Sequence, residues 1–338
     1  MNKKLAFIDH SFHKKTRSSD FFLEILKEHY EVDLYYDSFW DDEKVFDFSI
    51  LNSKEYDIVL FWQVNYSIQY LDKINCKNII YIPMYDDVVL NTITPFYWKQ
   101  FSHIKFLSFS KTLHDYLSTK GLNSFYIQYF PEQKKLPKKE KECLSAFFWY
   151  RIESINWEVI KKLIKVDSFE TIYIQNNPDP NQKKLDISKK DIEDYNIKFI
   201  DWFTNKEEYV KFLATIDVYF TPREYEGIGL SFLEAMSYGK IIVALNKPTM
   251  NEYIVNGENG FLYEKHQNQK IDFSKLDLKI IEKYNKNFLK SYQKRLNELF
   301  PFIENKLENK DVYYKDFFFF FLDKILYFPF KIYKKLRS

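Results

Sequence analysis

The stretch Asp217-Val218-Tyr219-Phe220-Thr221-Pro222-Arg223-Glu224-Tyr225-Glu226-Gly227-Ile228-Gly229-Leu230-Ser231-Phe232-Leu233-Glu234-Ala235-Met236-Ser237-Tyr238-Gly239-Lys240 reads as a strand, a tight glycine loop and a helix stopped by Gly239. Of only six glycines in the 338-residue chain, Gly227, Gly229, Gly239, Gly257 and Gly260 all fall between positions 227 and 260. In so glycine-poor a chain, such clustering marks backbone that approaches something closely or takes positive φ. A glycine loop entering a helix leaves N–H groups and the positive end of the helix dipole pointing outward, which suits a phosphate or diphosphate. Glu226 and Glu234 are spaced E-x7-E, one before the turn and one in the first turns of the helix. Carboxylates beside a diphosphate are repelled unless they face its uncharged parts, and sugar or ribose hydroxyls are the donors two such acceptors hold. Taken alone, the same residues also read as an ordinary strand-to-helix turn with exposed helix-end acids.

The longer pattern decides between these readings. Glu226-Gly227-Ile228-Gly229-Leu230-Ser231-Phe232-Leu233-Glu234-Ala235-Met236, Gly239, the strand Ile241–Ala244 and the continuation Pro248–Leu262 resemble the signature of the family 4 glycosyltransferases and their retaining relatives of the GT-B fold. The resemblance is specific over residues 197–263 and covers element order over roughly 1–300. It implies a nucleotide-sugar donor held by the second half. Glu234 takes the ribose hydroxyls, Glu226 the donor-sugar hydroxyls, and the N–H groups of Gly227, Ile228, Gly229 and Leu230 line the phosphates or sugar. Arg151, after the strand Leu144–Tyr150, stands where the family places a basic residue on the diphosphate. The lysine usual a few residues later is missing, with Ser154, Ile155, Asn156 and Trp157 there, and Lys161 is the next cation in line. Trp202-Phe203 lies where the family passes near the base, so Trp202 either stacks on a nucleobase or packs in the core. Thr249 and Glu252 form a T-x-x-E capping box for a short helix near Met250. The implied reaction moves a glycosyl group to an acceptor hydroxyl with retained configuration, the departing phosphate accepting the proton, so that Glu226 is not a nucleophile.

In the first half the family's glycine-rich loop is replaced by Asp9-His10-Ser11-Phe12-His13-Lys14-Lys15-Thr16-Arg17-Ser18-Ser19. Lys14, Thr16 and Ser18 are candidates for a phosphate or sugar contact, with Ser18 or Ser19 as a helix cap the alternative. His10, His13 and His103 are either polar groups of a first-domain site or, one by one, surface or packing histidines. Tyr85-Asp86-Asp87 follows the strand Asn78–Ile82, at the carboxyl end where doubly wound sheets place ligands. Paired aspartates also suit Mg²⁺ or Mn²⁺. The resembled fold uses no divalent metal, so Asp86 is expected on the acceptor or sugar, with no metal and no cofactor.

Working outward, short apolar runs at Leu5–Ile8, Val32–Tyr36, Ile58–Trp62, Asn78–Ile82 and Phe106–Phe109 alternate with amphipathic stretches such as Phe21–His29. Runs apolar on both faces indicate parallel strands covered by helices. A second series runs through Leu144–Tyr150, Thr171–Gln175, Ile197–Ile200, Asp217–Phe220, Ile241–Leu245 and Phe261–Tyr263. The expectation is an α/β fold of GT-B type, two Rossmann-like domains facing each other across a cleft, with a C-terminal helical tail. Residues 1–133 form the acceptor-side domain, 134–142 a linker, 143–275 the nucleotide-sugar domain, and 276–338 helices returning to the first. Lys134, Lys135, Lys138, Lys139 and Lys141 make the linker a solvated hinge or a basic patch.

Composition sets the remaining bounds: 46% hydrophobic and 29% charged residues with a net charge of +2 exclude a disordered or disulfide-scaffold chain and give no global attraction to nucleic acid. Cys76 and Cys143, with no CxxC spacing, point to reduced thiols and away from zinc. The N-terminal residues meet charge too early for a secretory segment, so a cytoplasmic location is expected. After Asp316 the tail runs Phe317-Phe318-Phe319-Phe320-Phe321-Leu322 and then carries Lys324, Lys331, Lys334, Lys335 and Arg337 with no acid beyond Asp323. It either packs on the first domain or meets the cytoplasmic face of an anionic membrane, and both fit together if the Phe run packs and the basic end faces lipid. The expected partners are a nucleotide-sugar, a glycan or lipid-linked acceptor of surface-polysaccharide type, and that membrane. Rival readings are a sugar-nucleotide epimerase or phosphorylase of the same architecture, and a noncatalytic sugar-nucleotide-binding subunit.

Overall fold

The computed structural model describes residues 3–38, 45–91, 93–132, 143–307 and 314–337. The expected linker 134–142, with its five lysines, lies outside the described residues. The chain divides into two compact units, Met1–Gln128 with Lys294–Ser338, and Tyr129–Gln293.

The first unit runs β1 (Lys4–His10), α1 (His13–Thr16), α2 (Asp20–Lys27), β2 (Glu31–Asp37), α3 (Ser49–Asn52), β3 (Ile58–Trp62), α4 (Ile68–Leu71), β4 (Ile79–Ile82), α5 (Tyr85–Leu90), a 3₁₀ turn at Tyr97–Phe101, β5 (Lys105–Ser108), α6 (Lys111–Thr119) and β6 (Asn123–Tyr126). All six strands are parallel in the order β2-β1-β3-β4-β5-β6. Every residue of β3 and β4 is buried, because helices cover both faces of a parallel sheet and leave no polar side for alternation. One face packs Phe61, Tyr81, Phe106, Trp98 and Phe101 into a single cluster. Strand β6 carries no apolar run: its residues are at most partly buried at the sheet edge, and so the strand pattern passes over it.

The second unit runs β7 (Ser145–Tyr150), α7 (Trp157–Leu163), β8 (Thr171–Asn176), α8 (Lys189–Asp194), β9 (Ile197–Ile200), α9 (Lys206–Leu213), β10 (Val218–Phe220), α10 (Leu230–Ser237), β11 (Ile241–Leu245), a 3₁₀ turn at Met250–Glu252 and β12 (Gly260–Tyr263). Its parallel order is β12-β11-β10-β7-β8-β9. That is the dinucleotide-fold order, in which the chain reverses direction between β7 and β10 and leaves a ligand crevice at their carboxyl ends.

Two long helices close the chain. In α11 (Leu278–Glu304), Ile281 joins the core of the second unit and Leu299 and Ile303 are buried in the first. Its last carbonyls meet the ammonium of Lys105, a 2% exposed lysine that donates to Phe302 O (2.7 Å), Ile303 O (2.8 Å) and Asn305 O (2.8 Å). A cation there satisfies orphan carbonyls and opposes the negative end of the dipole. Helix α12 (Tyr314–Arg337) continues through Pro329. It rests on the first unit through two buried acids, Asp316 accepting from Ser102 Oγ at 2.8 Å and Asp323 from Thr94 Oγ1 at 2.6 Å. Helical periodicity splits the Phe run that was expected to pack: Phe320 is buried, while Phe318 and Phe321 are 58% and 59% exposed. The side chains of Lys334 and Arg337 lie outside the described set. Among the described residues, no helix is long and apolar enough to cross a membrane.

Candidate active site

The β10–α10 loop is built around Gly229, the residue before the helix, at φ 81°. A Cβ there would lie 2.0 Å from Cε1 of Phe232, whose ring is fully buried, so no side chain fits. Gly239 at φ 76° ends the same helix. Two bonds tie the loop to the next segment: Glu226 N donates to Pro248 O (3.2 Å) and Thr249 Oγ1 to Ile228 O (3.2 Å). The expected capping box is therefore corrected. Met250–Glu252 is a single 3₁₀ turn, Glu252 N already bonds Thr249 O, and the buried Thr249 hydroxyl turns to the glycine loop instead.

Helix α10 buries Phe232, Leu233, Ala235 and Met236 and leaves Leu230 and Glu234, one turn apart, on the accessible side. Glu234 lies 3.3 Å from Lys206 Nζ, and Gly227 and Ile228 are buried beneath the half-buried Glu226. Burial, with the charges of Glu226 and Glu234 adding to it, pushes the Tyr219 hydroxyl up from its ordinary range, Arg151 acting in the opposite sense. Tyr219 therefore stays a neutral phenol within electrostatic reach of all three.

Arg151 follows β7, and its partner is Asp179: Nε to Oδ1 is 2.8 Å and Nη2 to Oδ1 is 2.6 Å. The other oxygen of Asp179 accepts from Nη2 of Arg223 at 2.6 Å. Two guanidiniums share one carboxylate, leaving a net +1 at the carboxyl ends of β7 and β10. Arg223 is a candidate residue that the sequence reading passed over, although it stands three positions before Glu226 and three past the end of β10. Lys161, the candidate for the missing lysine, is engaged elsewhere, 2.6 Å from Asp191, whose second oxygen accepts from Trp157 Nε1 at 3.0 Å. Where that lysine is missing, Ser154 meets Glu224: burial opposes ionisation, but hydrogen bonds from Ser154 and Lys265 (2.9 Å) hold the Glu224 carboxyl below the usual range.

Trp202 is 61% exposed, which corrects the core-packing alternative. It meets Trp149 edge to face at 5.2 Å, and the Arg151 guanidinium lies 4.4 Å over the same Trp149 ring. The neighbouring Phe203 takes the packing role against Tyr209 and Phe212.

In the first unit the strand order reverses between β1 and β3. At the end of β1, Asp9 is buried and accepts from Ser19 Oγ (2.5 Å), from its neighbour's N–H at His10 (2.8 Å) and from His13 Nδ1. The Ser19 hydroxyl thus goes to Asp9 and makes no cap bond to α2, and Ser18 meets Thr16 Oγ1 at 3.3 Å. His10 and His13 are buried packing groups. Lys14 sits 4.3 Å over the Tyr36 ring. Asp86 is half-buried in the first turn of α5, and Asp87 accepts from Gln63 Nε2 at 3.0 Å. Among the described residues, no three His, Cys, Asp or Glu side chains are grouped to hold a metal ion.

Residues 161–295 match the family described as Glycosyl transferases group 1. No curated protein matches the chain in sequence. Among solved structures, a glycosyltransferase from Rickettsia africae is similar with TM-score 0.62 at 13% identity, covering 91% of this chain and 99% of that one. The lipopolysaccharide outer core galactosyltransferase WaaB in its apo form gives 0.57 at 13% identity over 88% and 99%. Anabaena Alr3699/HepE in complex with UDP and glucose gives 0.56 at 13% identity over 89% and 98%. At such identities the likeness is one of fold, and it extends over nearly the whole of each relative. Residues 161–295 thus match a group 1 glycosyl transferase model, and the two parallel six-stranded sheets have the GT-B fold of these structures.

Proposed function

We propose that the second unit binds a nucleoside diphosphate sugar and that the enzyme transfers its hexosyl or deoxyhexosyl group, with retained configuration, to a hydroxyl of a surface-glycan acceptor. The observation that carries this reading is the Arg151–Asp179–Arg223 cluster beside the glycine loop, at the point of the sheet where strand order reverses. Two guanidiniums beside a helix N-terminus suit a diphosphate, since guanidinium pairs with phosphate oxygens in a fork and the helix end adds positive potential. Glu234 accepts from the ribose hydroxyls, Glu226 from the sugar, and Trp202 offers a face to the base. Asp179 orients both arginines and tempers their charge, so that the leaving diphosphate is stabilised without a divalent metal. The solved HepE structure with UDP and glucose supports a uridine nucleotide as the first donor to try.

The acceptor belongs to the first unit, where Asp86 contacts its hydroxyls. The exposed face of α12 rests on the cytoplasmic leaflet, placing the enzyme at a membrane that supplies the acceptor. Thermal stabilisation by UDP, GDP and dTDP tests the donor site: a nucleotide at 100 times its Kd raises stability by about 2.7 kcal/mol. Greater stabilisation by a diphosphate than by its nucleoside supports the reading; no shift with any of them contradicts it.

A further inference from the structure

Helix α12 has two apolar faces. The inner one is anchored by Asp316, Phe320 and Asp323. The outer one is a stripe of Phe318, Phe321, Ile325, Phe328 and Ile332, each 58–72% exposed. Exposed lysines 324, 331 and 335 border that stripe, and the only acids of the helix, Asp316 and Asp323, are turned inward and buried. The outward face therefore carries cations alone. Two copies meeting through it would bring like charges together, whereas an anionic bilayer matches both its apolar stripe and its sign.

The two halves of the inner face differ. The first half packs on the Tyr97–Phe101 turn and on α4. Further along, the helix contributes Phe330 and Tyr333 to a cavity of about 420 Å³, whose other walls include Val88, Val89, Ile93 and Tyr116 from α5, the segment after it and α6. That volume lies within the roughly 300–1,000 Å³ of small-molecule sites. The lining is mostly aliphatic and aromatic, with Asn91 and Thr112 as its polar members, and Tyr85, the first residue of the cavity wall on α5, is the neighbour of Asp86.

We propose that this cavity takes the hydrocarbon chain of a single phosphate-headed lipid drawn from the bilayer under α12, making the acceptor a lipid-linked one. The inference rests on the membrane and acceptor readings above. An apolar chain entering from the outward stripe passes beside a helix already immersed at the interface. Once seated, it holds its head group near α5, the element that carries Asp86. The lysines attract the anionic lipid to the helix, and the cavity selects for chain length.

The test uses alkyl phosphates below their micellar concentrations, with the full chain. Dodecyl phosphate should bind at least tenfold more tightly than hexyl phosphate, and Val89→Trp, which fills the cavity, should abolish the difference. Tyr333→Ser, at a position 49% exposed, should reduce it severalfold. Sedimentation with anionic vesicles separates the two readings: it should survive Val89→Trp and be lost in Phe328→Ser. Chain-length preference that persists in Val89→Trp and Tyr333→Ser overturns the lipid slot even if vesicles bind. A preference lost in both variants, with no vesicle binding by the wild type, keeps the slot and overturns the membrane face. A dimer dissolved by Phe328→Ser, together with no preference for dodecyl phosphate, shows that a second copy covers the helix and overturns the proposal.

Discussion

Replacing Arg223 by Gln removes one of the two cations held by Asp179. In the intact protein the Arg223 and Arg151 side chains are 27% and 24% exposed and Asp179 is 20% exposed, so the cluster is only partly screened by water. After the substitution Asp179 and Arg151 neutralise one another, and the net charge of the cluster falls from +1 to zero. A hydrogen bond to a charged group contributes about 1.5–3 kcal/mol, which corresponds to a 10- to 150-fold weaker Kd for a nucleoside diphosphate. The fold should lose little, since Asp179 keeps Arg151 and a partly exposed ion pair contributes about 1 kcal/mol or less. Calorimetric titration of the preferred nucleoside diphosphate and of its nucleoside reads the effect. The loss should appear with the diphosphate and vanish with the nucleoside, and Lys161→Gln should leave both affinities unchanged. Equal loss for nucleoside and diphosphate, or wild-type affinity in Arg223→Gln, would refute the assignment.

Glu234→Ala should weaken nucleoside and nucleotide alike by about 1.5–3 kcal/mol, whereas Glu226→Gln should depress turnover more than nucleotide affinity; the titrations and a coupled assay of diphosphate release distinguish them. Gly229→Ala combines a left-handed backbone, costing about 1–2 kcal/mol for a residue with a Cβ, with an overlap against the buried Phe232 ring, so denaturant unfolding should show a loss of at least ~2 kcal/mol. His103 is held below its ordinary value of 6.5 by burial, which outweighs the opposing charges of Asp316 and Asp72; Lys77 acts in the same direction as burial. The unfolded chain then takes up a proton before the folded one, so stability is fullest above pH 6.5 and falls as the pH drops from there toward the folded value. Thermal midpoints at pH 7.5 and 5.5 should differ less in His103→Phe than in the wild type, and an unchanged difference contradicts the assignment.

Strands that lie inside a sheet were legible because burial on both faces writes them as apolar runs, as at Ile58–Trp62 and Ile241–Leu245, where the observed limits equal those read from the chain. The edge strand Asn123–Tyr126 lacks that signal. The glycine loop with Glu226 and Glu234 was legible because its parts are consecutive. The Arg151–Asp179–Arg223 cluster was not: its members come from three separate loops, and only the adjacency of β7, β8 and β10 brings them together. Lys161 attracted attention by its place in the sequence, but α7 points it at Asp191 on α8. In the tail, five successive phenylalanines erase the helical period, and the phase is set by Asp316 and Asp323, seven residues apart, which find Ser102 and Thr94 in the first unit.

Transfer from a nucleoside diphosphate sugar with retained configuration is decided by proton NMR of the first-formed product, with the donor picked out by thermal stabilisation and excess EDTA present. The expected result is release of the nucleoside diphosphate and a new glycosidic or hydrolytic product that carries the donor's anomeric configuration. A product of inverted configuration, or turnover that stops in EDTA and returns only with Mg²⁺ or Mn²⁺, would contradict it.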